Sequence, residues 1–77
     1  MKIMKKYTPG EWLDLGIEET EHAIIIYEDG SFLEGDLFLV PMGSWDADIP
    51  QFDLIEKGGL LFGGDFQDLK YIIDLDA

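Results

Sequence analysis

Two short hydrophobic runs, each ended by a pair of turn residues, set the limits on what this chain can fold into. Ala23-Ile24-Ile25-Ile26-Tyr27 is β-branched and aromatic, and Glu28-Asp29-Gly30-Ser31 separates it from the apolar pattern that resumes at Phe32. Asp-Gly between such runs is a strong hairpin signal, because glycine takes the positive φ that a tight turn requires. On the return strand, which runs from Phe32 to Val40, alternation puts Leu33, Gly35, Leu37 and Leu39 on one face. Phe32, Glu34, Asp36, Phe38 and Val40 fall on the other.

A second hairpin is expected from Asp53-Leu54-Ile55 through Glu56-Lys57-Gly58-Gly59 to Leu60-Leu61-Phe62. The two segments look alike. Phe32-Leu33-Glu34-Gly35-Asp36-Leu37 aligns with Leu61-Phe62-Gly63-Gly64-Asp65-Phe66 at an offset of 29 residues, and Asp29-Gly30 aligns with Gly58-Gly59. A duplicated strand–turn–strand unit and chance similarity both fit these residues. Between the hairpins, Pro41 to Pro50 reads as a loop from its Pro, Gly, Ser and Asp content.

The N-terminal part is different. Thr8-Pro9-Gly10-Glu11 is a helix start: Thr8 caps, Pro9 suits the first helical position, and Glu11 completes a capping box. Gly16 marks the stop, so the helix has two turns or fewer and must dock its Trp12 face to persist. The last segment reads either as a helix capped by Asp65 with a Phe66, Leu69, Ile72, Ile73 stripe, or as a turn followed by a strand from Lys70 to Leu75. The β-branched pair Ile72-Ile73 favours the strand. The expected fold is therefore α+β or mainly β. It is a small antiparallel sheet or partly open barrel of about five strands, with one short N-terminal helix.

Seventy-seven residues make one domain, 1–77, whose basic N-terminal segment 1–7 is either an edge strand or disordered. Ten aromatic residues and many branched apolar ones set the chain apart from disordered acidic segments. The absence of cysteine excludes disulfides, thiolate metal sites and thiol catalysis. It favours the cytoplasm, of a host cell if the protein acts there, over secretion. No apolar run approaches the roughly 20 residues of a membrane span, and no apolar core of a signal peptide follows the first lysines.

Charge dominates the composition. Seventeen acids face five lysines and no arginine, for a net charge of −12, and three of the five lysines lie in the first six residues. Direct binding to nucleic acid is opposed, because such affinity comes largely from Lys and Arg displacing counterions. An anionic membrane surface is excluded for the same reason. Catalysis lacks a constellation: His22 is the only histidine and reads as a strand-end surface residue, while Ser31 and Ser44 fall in a turn and a loop. Asp46-Ala47-Asp48 with Asp53, and Asp74 with Asp76, lack the ligand spacing of a calcium loop, so no metal and no cofactor is expected.

The acids are patterned as well as abundant. Glu19/Glu21, Glu34/Asp36, Asp46/Asp48 and Asp74/Asp76 are i, i+2 pairs. On extended backbone each pair shares a face at about 6.6 Å, comparable to the spacing of successive phosphates along a strand of nucleic acid. Ordinary solvated strand faces produce the same spacing. Aromatic residues lie beside these pairs, with Trp45 and Phe52 in the loop as candidate anchors, and a plug for the domain core as the alternative reading of Trp45.

The expectation is a non-catalytic protein that occupies the basic, nucleic-acid-binding surface of a partner protein as a monomer or small homodimer. An inhibitor of the anti-CRISPR or antirestriction kind, as phages and mobile elements use, fits by charge and size. The partner-binding candidates are Glu34, Asp36, Trp45, Asp46, Asp48, Phe52, Asp53, Asp74 and Asp76. An immunity protein or antitoxin against a basic toxin is the alternative, and a small assembly module associating through strand edges is the third.

Overall fold

A computed structural model describes residues 4–46 and 48–76; the first three residues of the basic segment lie outside it. The capping box forms as the sequence requires. Thr8 Oγ1 accepts from the Glu11 backbone N–H at 3.2 Å, and Glu11 Oε1 accepts from the Thr8 N–H at 2.9 Å, which opens helix α1 (Pro9–Asp14). These bonds to Thr8 hold the Glu11 carboxyl below its ordinary pKa. Gly16, at φ +74°, turns the chain out of the helix. A six-residue helix has no stability of its own. Trp12 secures it, fully buried, with its indole N–H donating to Thr20 Oγ1 at 2.9 Å.

Among the described residues six antiparallel strands form one open sheet. They are β1 (Lys5–Tyr7), β2 (Glu19–Tyr27), β3 (Phe32–Leu39), β4 (Gln51–Ile55), β5 (Leu61–Asp65) and β6 (Leu69–Asp74), in the order β1-β6-β2-β3-β4-β5. The basic segment supplies the sixth strand: Lys5, Lys6 and Tyr7 pair with Asp74, Ile73 and Ile72. A 3-10 turn at Phe66–Asp68 precedes the final strand, which settles the ambiguous last segment as turn plus strand. A second 3-10 turn, Met42–Ser44, lies in the Pro41–Pro50 loop.

The hairpins β2–β3 and β4–β5 share one register. Ile26, Ile25, Ile24 and Ala23 face Phe32, Leu33, Glu34 and Gly35; 29 residues on, Ile55, Leu54, Asp53 and Phe52 face Leu61, Phe62, Gly63 and Gly64. The turns match as well. Tyr27 N–H donates to the Ser31 carbonyl and Gly30 N–H to the Tyr27 carbonyl; Glu56 and Leu60, and Gly59 and Glu56, repeat these bonds. Gly30 and Gly59 both sit at φ +91°.

One face of the sheet carries the core: Ala23, Ile25, Leu37, Phe52, Leu54 and Ile72, closed over by Trp12, Phe66 and Leu69. Trp12 stacks on Phe66 at 5.2 Å between centroids, and Phe66 meets Phe52 edge-on at 5.4 Å. Phe52 therefore belongs to β4 and to the core, fully buried. This corrects its expected place as a surface anchor in the loop: in-phase with Leu54, it must share the inner face once β4 begins at Gln51. No helix among the described residues is long and apolar enough to cross a membrane.

Candidate functional site

Among the described residues no helix or strand covers the face turned away from the core, and the register dictates its composition. Across β1, β6, β2 and β3 one row runs Lys6, Ile73, Ile24, Glu34. The next row toward the β2–β3 turn runs Tyr71, Ile26, Phe32. In the other direction Glu19, Phe38, Asp53 and Gly63 align across β2 to β5, and Asp36, Ile55 and Leu61 across β3 to β5. The face thus has two halves. Over β1, β6 and the middle of β2 it is apolar and lysine-bearing, with Lys6 Nζ 4.4 Å and Lys70 Nζ 5.8 Å from the Tyr71 ring centre. Over β3, β4 and β5 it carries Glu34, Asp36, Asp53 and Asp65, with Glu19 at the adjoining end of β2. Among the described residues no lysine lies within ion-pair distance of a carboxylate.

The acidic half is shaped by a bulge in β2. Between Thr20 and Ala23 the register slips, and His22 takes φ +54° in the left-handed region. Its backbone N–H donates to Asp36 Oδ1 at 3.1 Å, and its carbonyl accepts from the Leu75 N–H at 3.1 Å. The imidazole lies between two carboxylates, Nε2 at 3.1 Å from Glu34 Oε2 and Nδ1 at 3.1 Å from Asp76 Oδ2. Only the doubly protonated ring can donate to both. His22 is thus a mid-strand bulge residue rather than the strand-end residue expected, and it ties the end of β6 to β3.

Beyond Ile55, β4 leaves β3 and opens a cleft. The Ile55 carbonyl and Glu56 Cα pass so close over Gly35 that a Cβ there would overlap the Ile55 oxygen. Glycine at position 35 is what allows the end of β4 to pass this close to β3. The open cleft, about 850 Å³, is bordered by Glu34, Asp36 and Glu56, with His22 behind and Lys57 at its tip. A smaller concavity, about 320 Å³, lies nearer the β5 edge between Asp46, Gln51, Asp53 and Gly63.

The candidate residues separate accordingly. Glu34, Asp36 and Asp53 share the outer face, and Asp46 reaches the same side at the smaller concavity. Asp36 is half-buried and holds the bulge. Asp48 is exposed in the loop at φ +47°. Asp74 lies opposite Lys5 and Ala23, in phase with the inner side, and accepts the Asp76 N–H at 3.0 Å. Asp76 meets the cluster through His22, whose Nδ1 lies 3.1 Å from Asp76 Oδ2. Trp45 is half-buried and donates to the Val40 carbonyl at 2.7 Å, which fixes the loop. Reasoning from sequence missed Glu56 and Asp65, which flank the cleft and the free edge; pairing of the hairpins at a common offset was the signal that places them.

A second group of acids lies at the opposite end, around the β2–β3 turn. Asp29 Oδ1 accepts from the Ser31 hydroxyl at 2.6 Å and from its N–H at 2.9 Å, which lowers the Asp29 carboxyl pKa. Burial, then the nearby Asp68 and Asp29, push the Tyr27 hydroxyl pKa up. Among the described residues no group of three or more His, Asp or Glu side chains could hold a metal ion. Comparison with protein-family models, curated proteins and solved structures finds no match to this chain.

Proposed function

We propose that this chain is a non-catalytic binding module that covers a basic, nucleic-acid-binding surface of a partner protein, and so inhibits it. The observation that carries the reading is the segregation of charge. Carboxylates from three adjacent strands share one outer face, with Lys57 at the tip of the cleft they border, while Lys6 and Lys70 lie beside Tyr71 at the β1–β6 end of the sheet. Such a field steers a cationic surface into encounter and fixes its orientation. Phe38 and Ile55 among the acids supply apolar contact of the kind that anchors an interface. Antirestriction and anti-CRISPR inhibitors are the functional class this reading matches; an immunity protein against a basic toxin would use the same charge.

The test is displacement. The protein is immobilised, its partner is taken from a lysate and purified, and the partner's binding to its own nucleic acid is measured with and without the chain. Competition that weakens as ionic strength rises to about 0.15 M and beyond is expected. Glu34→Lys with Asp53→Lys should reduce affinity by tenfold or more, roughly the loss of 1.4 kcal/mol. A partner that holds chain and nucleic acid together, or competition indifferent to salt, overturns the proposal.

A further inference from the structure

The sheet has two edges, and only one is guarded. β1 is three residues long and carries Lys5 and Lys6, the devices that keep an edge from pairing with another chain. β5 is Leu61-Phe62-Gly63-Gly64-Asp65, with no charge before its last residue. Leu60 and Leu61 are each 62% exposed and Phe62 is 36% exposed. The ladder fixes which backbone groups are free. Glu56 N–H donates to the Leu60 carbonyl and Phe66 N–H to the Pro50 carbonyl. By alternation Leu60, Phe62, Gly64 and Phe66 point their groups at the β4 side, whereas Leu61, Gly63 and Asp65 point theirs outward. None of those outward groups has a partner among the described residues.

We infer that β5 receives an extended segment of the partner as a seventh strand, with a lysine or arginine placed beside Gly63. This rests on the reading of the chain as a binder of a cationic protein. Gly63 decides the chemistry. It lies on the outer face opposite Asp53, and a Cβ at Gly63 would stand 3.3 Å from Asp53 Oδ1. Lacking a side chain, Gly63 leaves that carboxylate reachable from beyond the edge, and Asp46 lines the same concavity. Because Asp53 Oδ1 already stands beside Gly63, a side chain on the added strand need cross only about one strand spacing, about 5 Å, to reach it. Lysine and arginine have that length and the matching charge. A second copy of this chain is disfavoured, because pairing β5 with its own twin would bring together two bodies of net charge −12.

The test uses the whole chain, ¹⁵N-labelled, with a blocked peptide of alternating valine and lysine as the probe. Its valine–glutamate counterpart serves as control. Amide hydrogen exchange should slow at Leu61, Gly63 and Asp65 by tenfold or more with the lysine peptide and remain unchanged with the glutamate peptide. Leu61→Pro, which removes one outward N–H and leaves the β4 ladder intact, should abolish that protection, and Asp53→Asn should weaken it. Shifts confined to the Glu34–Glu56 cleft, with β5 unprotected, would overturn the added strand while leaving the acidic binder intact. Equal protection by the glutamate peptide, β5 protection on concentrating the protein alone, or no response to the lysine peptide each overturns the inference as well.

Discussion

The β2–β3 and β4–β5 hairpins have the same turn, the same register and the same placement of a positive-φ glycine, yet they do different work. In the first, β6 and β4 flank both strands, and the interior positions hold Ala23, Ile25, Leu33 and Leu37. In the second, Phe52 stands where Ala23 stood and Gly64 where Gly35 stood, and one edge is bare. A small residue facing glycine in a central hairpin leaves room for a neighbouring strand to pass close. A large ring facing glycine at the rim fills the core from the side. The lesson is that backbone pairing repeats easily, while side-chain volume decides which hairpin is interior and which is free to meet a partner.

If the hairpins were interchangeable, equivalent substitutions would cost the same. The largest divergence is expected at the Ala23/Phe52 position. Phe52→Ala should destabilise the fold by about 3–5 kcal/mol, because it removes the ring that meets Phe66, whereas Ala23→Gly should cost only about 0.5–1 kcal/mol. Urea unfolding of the two variants measures the gap, and equal costs would break the comparison.

The glycines come next. Gly35→Ala drives a Cβ into the Ile55 backbone, which cannot move without parting the hairpins, so a loss of about 3 kcal/mol is expected. Gly64→Ala meets the Phe52 ring at 3.1 Å, and the ring can give, so the loss should be roughly 1 kcal/mol. Thermal unfolding should rank the pair in that order.

The smallest effect sharpens the contrast by pH. Tyr27 precedes the first turn where Glu56 precedes the second, and its hydroxyl pKa is raised above its ordinary value of 10.0. The unfolded chain therefore loses that proton first. The stabilisation is complete below pH 10 and is lost as pH rises through the higher folded value. Tyr27→Phe should flatten the alkaline decline in a pH series of unfolding midpoints.

Local signals carried much of this fold. The Thr8 capping box, the Asp29-Gly30 and Gly58-Gly59 turns and the Gly16 stop depend on neighbours within a few residues, and each appears where the sequence puts it. Among the described residues the open sheet has six strands where about five were expected, because Lys5-Lys6-Tyr7 pairs only with a strand more than sixty residues away. The site was less legible. Its acids could be paired by alternation within β3, but His22 between Glu34 and Asp76 unites three distant segments through a bulge that no local pattern announces.

By itself the sequence determined the charge, the turn positions and the alternation that gives each strand an inner and an outer face, because those depend on composition and on contacts within a hairpin. Only the tertiary structure decided which hairpin lies inside the sheet, where Phe52 goes, which carboxylates share a surface and which edge stays unpaired. Those outcomes follow from strand order and packing volume, which arise between segments far apart in the chain and have no signature inside either one.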